Sequence, residues 1–202
     1  MSEVGRAIAA LLRGELAVIP TDTVYGLAAS ADDPRAAEAL YAAKGRDARQ
    51  PTAVLFASLV ELLACVPELP APGIAVARAL LPGPLTLVVP NPGRRFRWLN
   101  QERPAALGVR VPDVAGPGKE VLDALGALVA TSANLPGGRD PRSLADVPPE
   151  LVAAAAATVD GGSLGGAPST VVDLTGTEPA ILREGALPAR VVLERLAVLT
   201  DR

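Results

Sequence analysis

The chain contains no histidine, and this one absence removes several kinds of chemistry at once. Ser-His-Asp and Cys-His catalysis are excluded, as are imidazole metal sites. Cys65 is the only cysteine, so there is no internal disulfide and no cysteine-based metal site. It lies in the apolar run Leu62-Leu63-Ala64-Cys65-Val66 and reads as a small core residue rather than a nucleophile. Lysine is scarce: of 19 basic residues only Lys44 and Lys119 are lysine. No apolar run approaches the length of a membrane span, so no membrane association is expected. The N-terminal stretch carries Glu3, Arg6 and Arg13 around its apolar residues, unlike a signal peptide, which points to a cytoplasmic location. Whatever chemistry occurs must use carboxylates, lysine, arginine, hydroxyls, backbone amides or a hard metal such as magnesium.

What is present describes an ordinary globular chain. The 202 residues are half apolar and one-fifth charged, which predicts a single domain spanning 1–202. The 20 prolines and 19 glycines follow no fixed period, so they read as turns between many short elements. A net charge of -3 argues against broad, non-specific nucleic-acid binding.

Periodicity predicts a helix over residues 2–13, with Val4, Ile8, Leu11 and Leu12 on one face. Strands follow at 16–20 and 25–29, separated by a polar turn. Asp33-Pro34 is a cap and first helical residue, and that helix should deliver Lys44-Gly45-Arg46 at its end. A strand is predicted at 52–57, and Ser58 with Glu61 forms a capping box for the next helix. A helix at 73–81 precedes a strand at 85–89. Residues 107–111 alternate, with Leu107, Val109 and Val111 opposite Gly108 and Arg110. Helices at 119–125, 150–157 and 188–199 and strands at 127–131, 169–174 and 180–183 complete the reading. Such mixing without strict alternation predicts an α/β fold of the α+β type, an open, twisted, mixed sheet flanked by helices.

Gly116-Pro117-Gly118-Lys119 looks like a phosphate loop but is a decoy, and reads as a loop before a helix. Asp113 replaces the first glycine, and Glu120 stands where a magnesium-binding hydroxyl belongs. Four polar segments are better candidates. The turn Thr21-Asp22-Thr23 concentrates hydroxyls and an acid. Lys44-x-Arg46 offers two cations suited to a triphosphate or carboxylate. Thr131-Ser132-Ala133-Asn134 leaves a strand with two hydrogen-bonding side chains that can point the same way. Residues 160–170 form a glycine-rich loop entering a strand at Ser169. Taken singly, each reads first as a capped turn, a helix-end cation, a loop start or a flexible connection, and only their joint occurrence points to a site.

Jointly they resemble the YrdC/Sua5 family over nearly the whole chain. The segments are PTDTVYGL (20–27), KGR (44–46), PGPLTLVV (82–89), LGVRVP (107–112), ATSAN (130–134), DGG with PSTVVD (160–162, 168–173) and ILREG (181–185). The resemblance implies a YrdC-like fold with a concave, positively charged face. It also implies synthesis of threonylcarbamoyl-AMP and pyrophosphate from L-threonine, bicarbonate and ATP, a nucleotidyltransferase reaction serving tRNA modification. Carried over residue by residue, the catalytic set becomes Lys44, Arg46, Ser132 and Asn134. Threonine contacts become Thr21, Thr23 and Tyr25, and nucleotide contacts add Arg110, Ser169 and Arg183. Magnesium would arrive with ATP, and downstream tRNA threonylcarbamoyl-transfer proteins would take the product. The chain resembles the short form of the family. It departs from the common pattern at Asp47 (often proline), Gln50 (lysine or histidine) and Pro136 (serine), and lacks two histidines found in many members.

Other readings stay open at this point. Arg94-Arg95-Phe96-Arg97-Trp98 interleaves cations and aromatics, as a double-stranded RNA-binding module with weak RNA affinity would. A carbamoyl-transfer relative usually sits within a longer chain that has zinc-binding cysteines. An inactive paralogue would not be expected to keep the tetrad.

Overall fold

The computed structural model describes residues 1–45 and 51–200. Among the described residues nine strands form one open, twisted, mixed sheet flanked by helices, the sheet type that the sequence pattern predicts. Helix α1 (Glu3–Leu12) is capped by Ser2, whose hydroxyl accepts from Gly5 N–H. Strands β1 (Ala17–Pro20) and β2 (Tyr25–Ser30) form an antiparallel pair around the Thr21-Asp22-Thr23 turn. Helix α2 (Pro34–Lys44) opens with Asp33 accepting from Arg35 N–H and closes at Gly45 in the left-handed region. Then come β3 (Ala53–Phe56), α3 (Leu59–Cys65), α4 (Ala71–Leu80), β4 (Leu85–Pro90), β5 (Ala106–Arg110), α5 (Gly116–Leu125) and β6 (Ala127–Ser132). The order closes with α6 (Pro149–Ala154), β7 (Ala157–Thr158), β8 (Thr170–Asp173), β9 (Ala180–Arg183) and α7 (Ala189–Thr200). Across the sheet the strands run β7-β1-β2-β6-β3-β5-β4-β8-β9.

The period of two divides each strand between two environments. On one face Val18, Leu27, Val54, Leu87, Val109, Val129 and Val172 join a large core. Leu40 of α2, Leu62 of α3, Leu80 of α4, Leu151 of α6 and Leu196 of α7 belong to the same core. On the opposite face Ile19, Ala28, Leu55 and Leu128 pack against Leu11 of α1 and Val121 of α5. This second core reaches from β7 to β3 and stops there. Beyond it the same face presents Ala53, Thr86, Val88, Gly108, Arg110 and Val171, all lining an open cleft. The concave site is therefore the half of a sheet face that α1 and α5 do not cover.

Four expectations need correction. Leu12 is 71% exposed, and the buried face of α1 uses Ala7 and Ala10 beside Leu11. Ser58 does accept from Glu61 N–H, but the Glu61 carboxylate returns to the Ser58 hydroxyl, at 3.2 Å, in place of the backbone donor of a capping box. The Gly116–Lys119 segment is the first turn of α5 rather than a loop before it. The helix expected at 150–157 ends at Ala154, within the alanine run 153–157, and Ala157 pairs with Ala17 in a parallel edge strand.

Candidate active site

The cleft has a volume of about 830 Å³, and most of the sequence-predicted residues meet in it. Thr21, Thr23, Lys44, Arg110, Ser132, Asn134, Ser169 and Arg183 all line its wall. They come from six different places in the chain, which only the strand order brings together. Arg46 lies outside the described residues, as do Asp47 and Gln50.

Lys44 ends α2 almost completely buried, at 3% exposure. Its ammonium donates to Ser132 O at 2.6 Å, to Asn134 Oδ1 at 2.8 Å and to Asn134 O. Ser132 Oγ donates to the same Asn134 Oδ1 at 2.8 Å. The amide nitrogen of Asn134 donates to Gly138 O at 2.9 Å and to Asp140 Oδ1 at 3.3 Å. These contacts fix the amide orientation, because oxygen faces only donors and nitrogen only acceptors. Lys44 thus fastens the loop after β6, and Ser132 and Asn134 share one hydrogen-bonded unit with it.

The threonine turn is built around the hydroxyl of Thr21. It donates to Val24 O at 2.7 Å and accepts from Thr23 N–H at 3.2 Å and Val24 N–H at 3.3 Å. The two threonine hydroxyls lie 3.1 Å apart. Arg110 Nη2 donates to Thr23 Oγ1 at 3.0 Å and forms an ion pair with Asp22 Oδ1. Asp22 Oδ2 accepts from Asp113 N–H at 3.1 Å. Burial pushes the Asp22 carboxyl above its ordinary range, although Arg110 and the Asp113 amide pull it down. Burial likewise lowers Arg110, with the positive charge of Arg183 acting in the same direction.

At the far wall Arg183 reaches from the edge strand β9 and donates to Ser169 O at 2.8 Å. Ser169 Oγ lies 2.8 Å from the hydroxyl of Thr86. Sequence reading passed over Thr86, although the alternation of β4 puts it opposite the core residues Leu85 and Leu87. Asn100 and Arg103 also line the cleft, from a connection where no pattern announces them.

Tyr25 is the site residue that must be reassigned. It is fully buried in the large core and does not line the cleft. Its hydroxyl accepts from Gly161 N–H at 2.9 Å and reaches Gly162 O at 2.8 Å and Asp160 Oδ1 at 3.0 Å. Tyr25 therefore pins the glycine-rich loop against the β1–β2 pair. Tyr25→Phe should leave the Gly161 N–H unpaired and cost about 1–3 kcal/mol of stability. Thermal melting will show the loss, and the affinity of the cleft for its ligand should stay within about twofold of the parent. A large loss of that affinity with unchanged melting would return Tyr25 to the site.

A family model for the Sua5/YciO/YrdC proteins, described as "Telomere recombination", matches residues 9–185. The chain belongs to the Sua5/YciO/YrdC family. A Mycobacterium tuberculosis relative is 35% identical over 193 residues, 95% of this chain and 88% of its own length. The Pyrococcus abyssi threonylcarbamoyl-AMP synthase is 35% identical over 176 residues, 87% of this chain, and the chain spans about half of that protein (52%). The structure of P. abyssi Sua5 complexed with L-threonine superposes with a TM-score of 0.86 at 32% identity, covering 96% of this chain and 58% of that one. Each segment that carries the Sua5/YciO/YrdC resemblance, apart from Asp160-Gly161-Gly162, contributes residues to the cleft wall.

The Arg94–Trp98 segment sits elsewhere. Phe96 is buried, and Trp98 is half-buried with its ring edge-on to Phe96, centroids 5.9 Å apart. Arg95 pairs with Glu68 at 2.5 Å. Rings packed this way offer little face for stacking on bases. Among the described residues no helix is long and apolar enough to cross a membrane.

Proposed function

We propose that this chain is an L-threonylcarbamoyladenylate synthase acting in the cytoplasm on L-threonine, bicarbonate and ATP. The observation that carries this reading is the convergence of the Lys44-Ser132-Asn134 unit, the Thr21/Thr23 turn and the Arg110/Ser169/Arg183 wall on one cleft. In the proposed reaction the threonine amine and bicarbonate give a carbamate and water. The carbamate oxygen then bonds to the α-phosphorus of ATP, and the bond to pyrophosphate breaks. Transfer of this kind needs positioning and charge neutralisation more than an acid or a base, which suits a site without histidine.

In this reading Thr21 and Thr23 hold threonine, while Arg110, Ser169 and Arg183 hold the nucleotide. Lys44 supplies positive charge at the end of α2, Arg46 is the second cation of the Lys44-x-Arg46 motif, and the loop that Lys44 fixes presents Ser132 and Asn134. Magnesium would enter on the triphosphate. Among the described residues no three His, Cys, Asp or Glu side chains gather to hold a metal by themselves. The cleft wall carries oxygen donors, among them Thr21, Thr23, Ser132 and Asp140, and a magnesium ion ligated mainly by phosphate and water would need only one or two of them. The adenylate would pass to tRNA threonylcarbamoyl-transfer proteins.

Pyrophosphate release from ATP should require threonine and bicarbonate together, because the nucleophile forms only from both. Purified protein, each substrate omitted in turn and pyrophosphate measured, is the test. Turnover that ignores threonine would leave an ATPase and sink the proposal.

A further inference from the structure

Arg110 occupies the middle of the uncovered sheet face, yet its guanidinium is engaged in a lopsided way. Both of its described hydrogen bonds leave from one nitrogen, Nη2, to Asp22 Oδ1 and Thr23 Oγ1. Among the described residues its Nε–H is buried without a partner. An arginine has five N–H donors in a fixed fork; with two given to Asp22 and Thr23 and the Nε–H buried, the two of Nη1 remain for something that enters the cleft. Free arginine side chains sample many rotamers, and holding one atom of the fork removes most of that freedom.

Asp22 is the group that does the holding. Its side chain is 6% exposed, and it does not line the cleft. One carboxylate oxygen takes Arg110 and the other takes Asp113 N–H, so both face donors. A magnesium ion or an ammonium group in the cleft would meet Arg110 and the threonine hydroxyls first. We infer that Asp22 is a positioning residue, which clamps Arg110 by one nitrogen so that its remaining donors are aimed at an anionic group of the substrate. Because the pair is neutral together, Arg110 acts as an oriented fork more than as added positive charge. Burial of the pair makes that orientation costly to lose.

This inference rests on the synthase reading, so pyrophosphate release by the parent protein is measured first. Asp22→Asn keeps the shape but offers an amide N–H where an acceptor is needed. It should lower kcat/KM at least about tenfold. Arg110→Gln should lower it by as much or more. The decisive variant is the double substitution, which should match Arg110→Gln within about twofold, because Asp22 acts only through Arg110. Losses that multiply would make Asp22 an independent contact and overturn the inference. So would an Asp22→Asn enzyme within about twofold of the parent. Melting curves assign activity to folded protein. If Asp22→Asn does not fold, Asp22→Glu replaces it in the same cycle, since it keeps the charge and moves the clamp. If the parent itself shows no threonine-dependent release, the synthase reading falls. Binding of pyrophosphate to the same four proteins then tests the clamp separately.

Discussion

Gly118→Ala is expected to destabilise the protein more than alanine at an ordinary helical glycine, and in the opposite direction from helix propensity. Inside a helix, alanine is favoured over glycine by roughly 1 kcal/mol. Gly118 lies in the first turn of α5, yet a Cβ there would stand 2.3 Å from Pro20 O and 3.1 Å from a Val114 methyl. The oxygen belongs to backbone at the end of β1, so it cannot rotate away as a side chain would. Overpacking of this kind costs about 1–3 kcal/mol and occasionally more, and here the upper part of that range applies. For a chain of this size, 3 kcal/mol corresponds to a fall in Tm of roughly 6–12 °C. Gly165→Ala is the control, because nothing lies within 4 Å of its added methyl. Since Pro20 leads directly into Thr21, the Gly118 variant should also weaken threonine binding. Equal melting of the two variants would show that α5 can slide on β1, and the tight packing would not matter.

That glycine also shows why the sequence misleads where it does. Gly116-Pro117-Gly118-Lys119 resembles a phosphate loop because both need a backbone without side chains, but here the close neighbour is Pro20, not a phosphate. Local patterns were legible where one element decides them. The Asp33-Pro34 start of α2 and the alternation of β5 needed only neighbouring residues, and the helix and strand formed accordingly. The alanine run failed because strand pairing outweighs propensity: Ala157 pairs with Ala17, and Ala156 N–H donates to Leu16 O at 2.8 Å. Tyr25 was legible and was misread. Period two puts it with Leu27 and Ala29 on the helix-covered face, whereas Gly26 lines the cleft. The Asp22–Arg110 pair spans 88 positions, and no local rule connects the two residues. Site membership was carried by family segments, and geometry then separated the residues that line the cleft from the one that supports it.

Lys44→Arg should lower kcat/KM at least about tenfold, or ~1.4 kcal/mol of transition-state stabilisation, although charge is unchanged. Composition already sets Lys44 apart, because arginine fills all but two of the 19 basic positions of this chain. The structure supplies the reason. Three acceptors, Ser132 O, Asn134 O and Asn134 Oδ1, converge on one nitrogen, and the residue is 3% exposed. A compact ammonium can serve three converging acceptors, whereas a guanidinium spreads its donors over a plane and needs more room. Arginine here would push the loop after β6 outward and carry Ser132 and Asn134 with it. Lys119→Arg makes the same chemical change on the surface. Lys119 only pairs with Asp123 one turn along α5, and arginine can keep that pair. Both variants go into the pyrophosphate assay, with melting to confirm folding. Lys119→Arg should be silent in both measurements, while Lys44→Arg should lose activity and some thermal stability. Equal activity would reduce Lys44 to a helix-end cation, and the assignment of anion contacts would then rest on Arg46, Arg110 and Arg183.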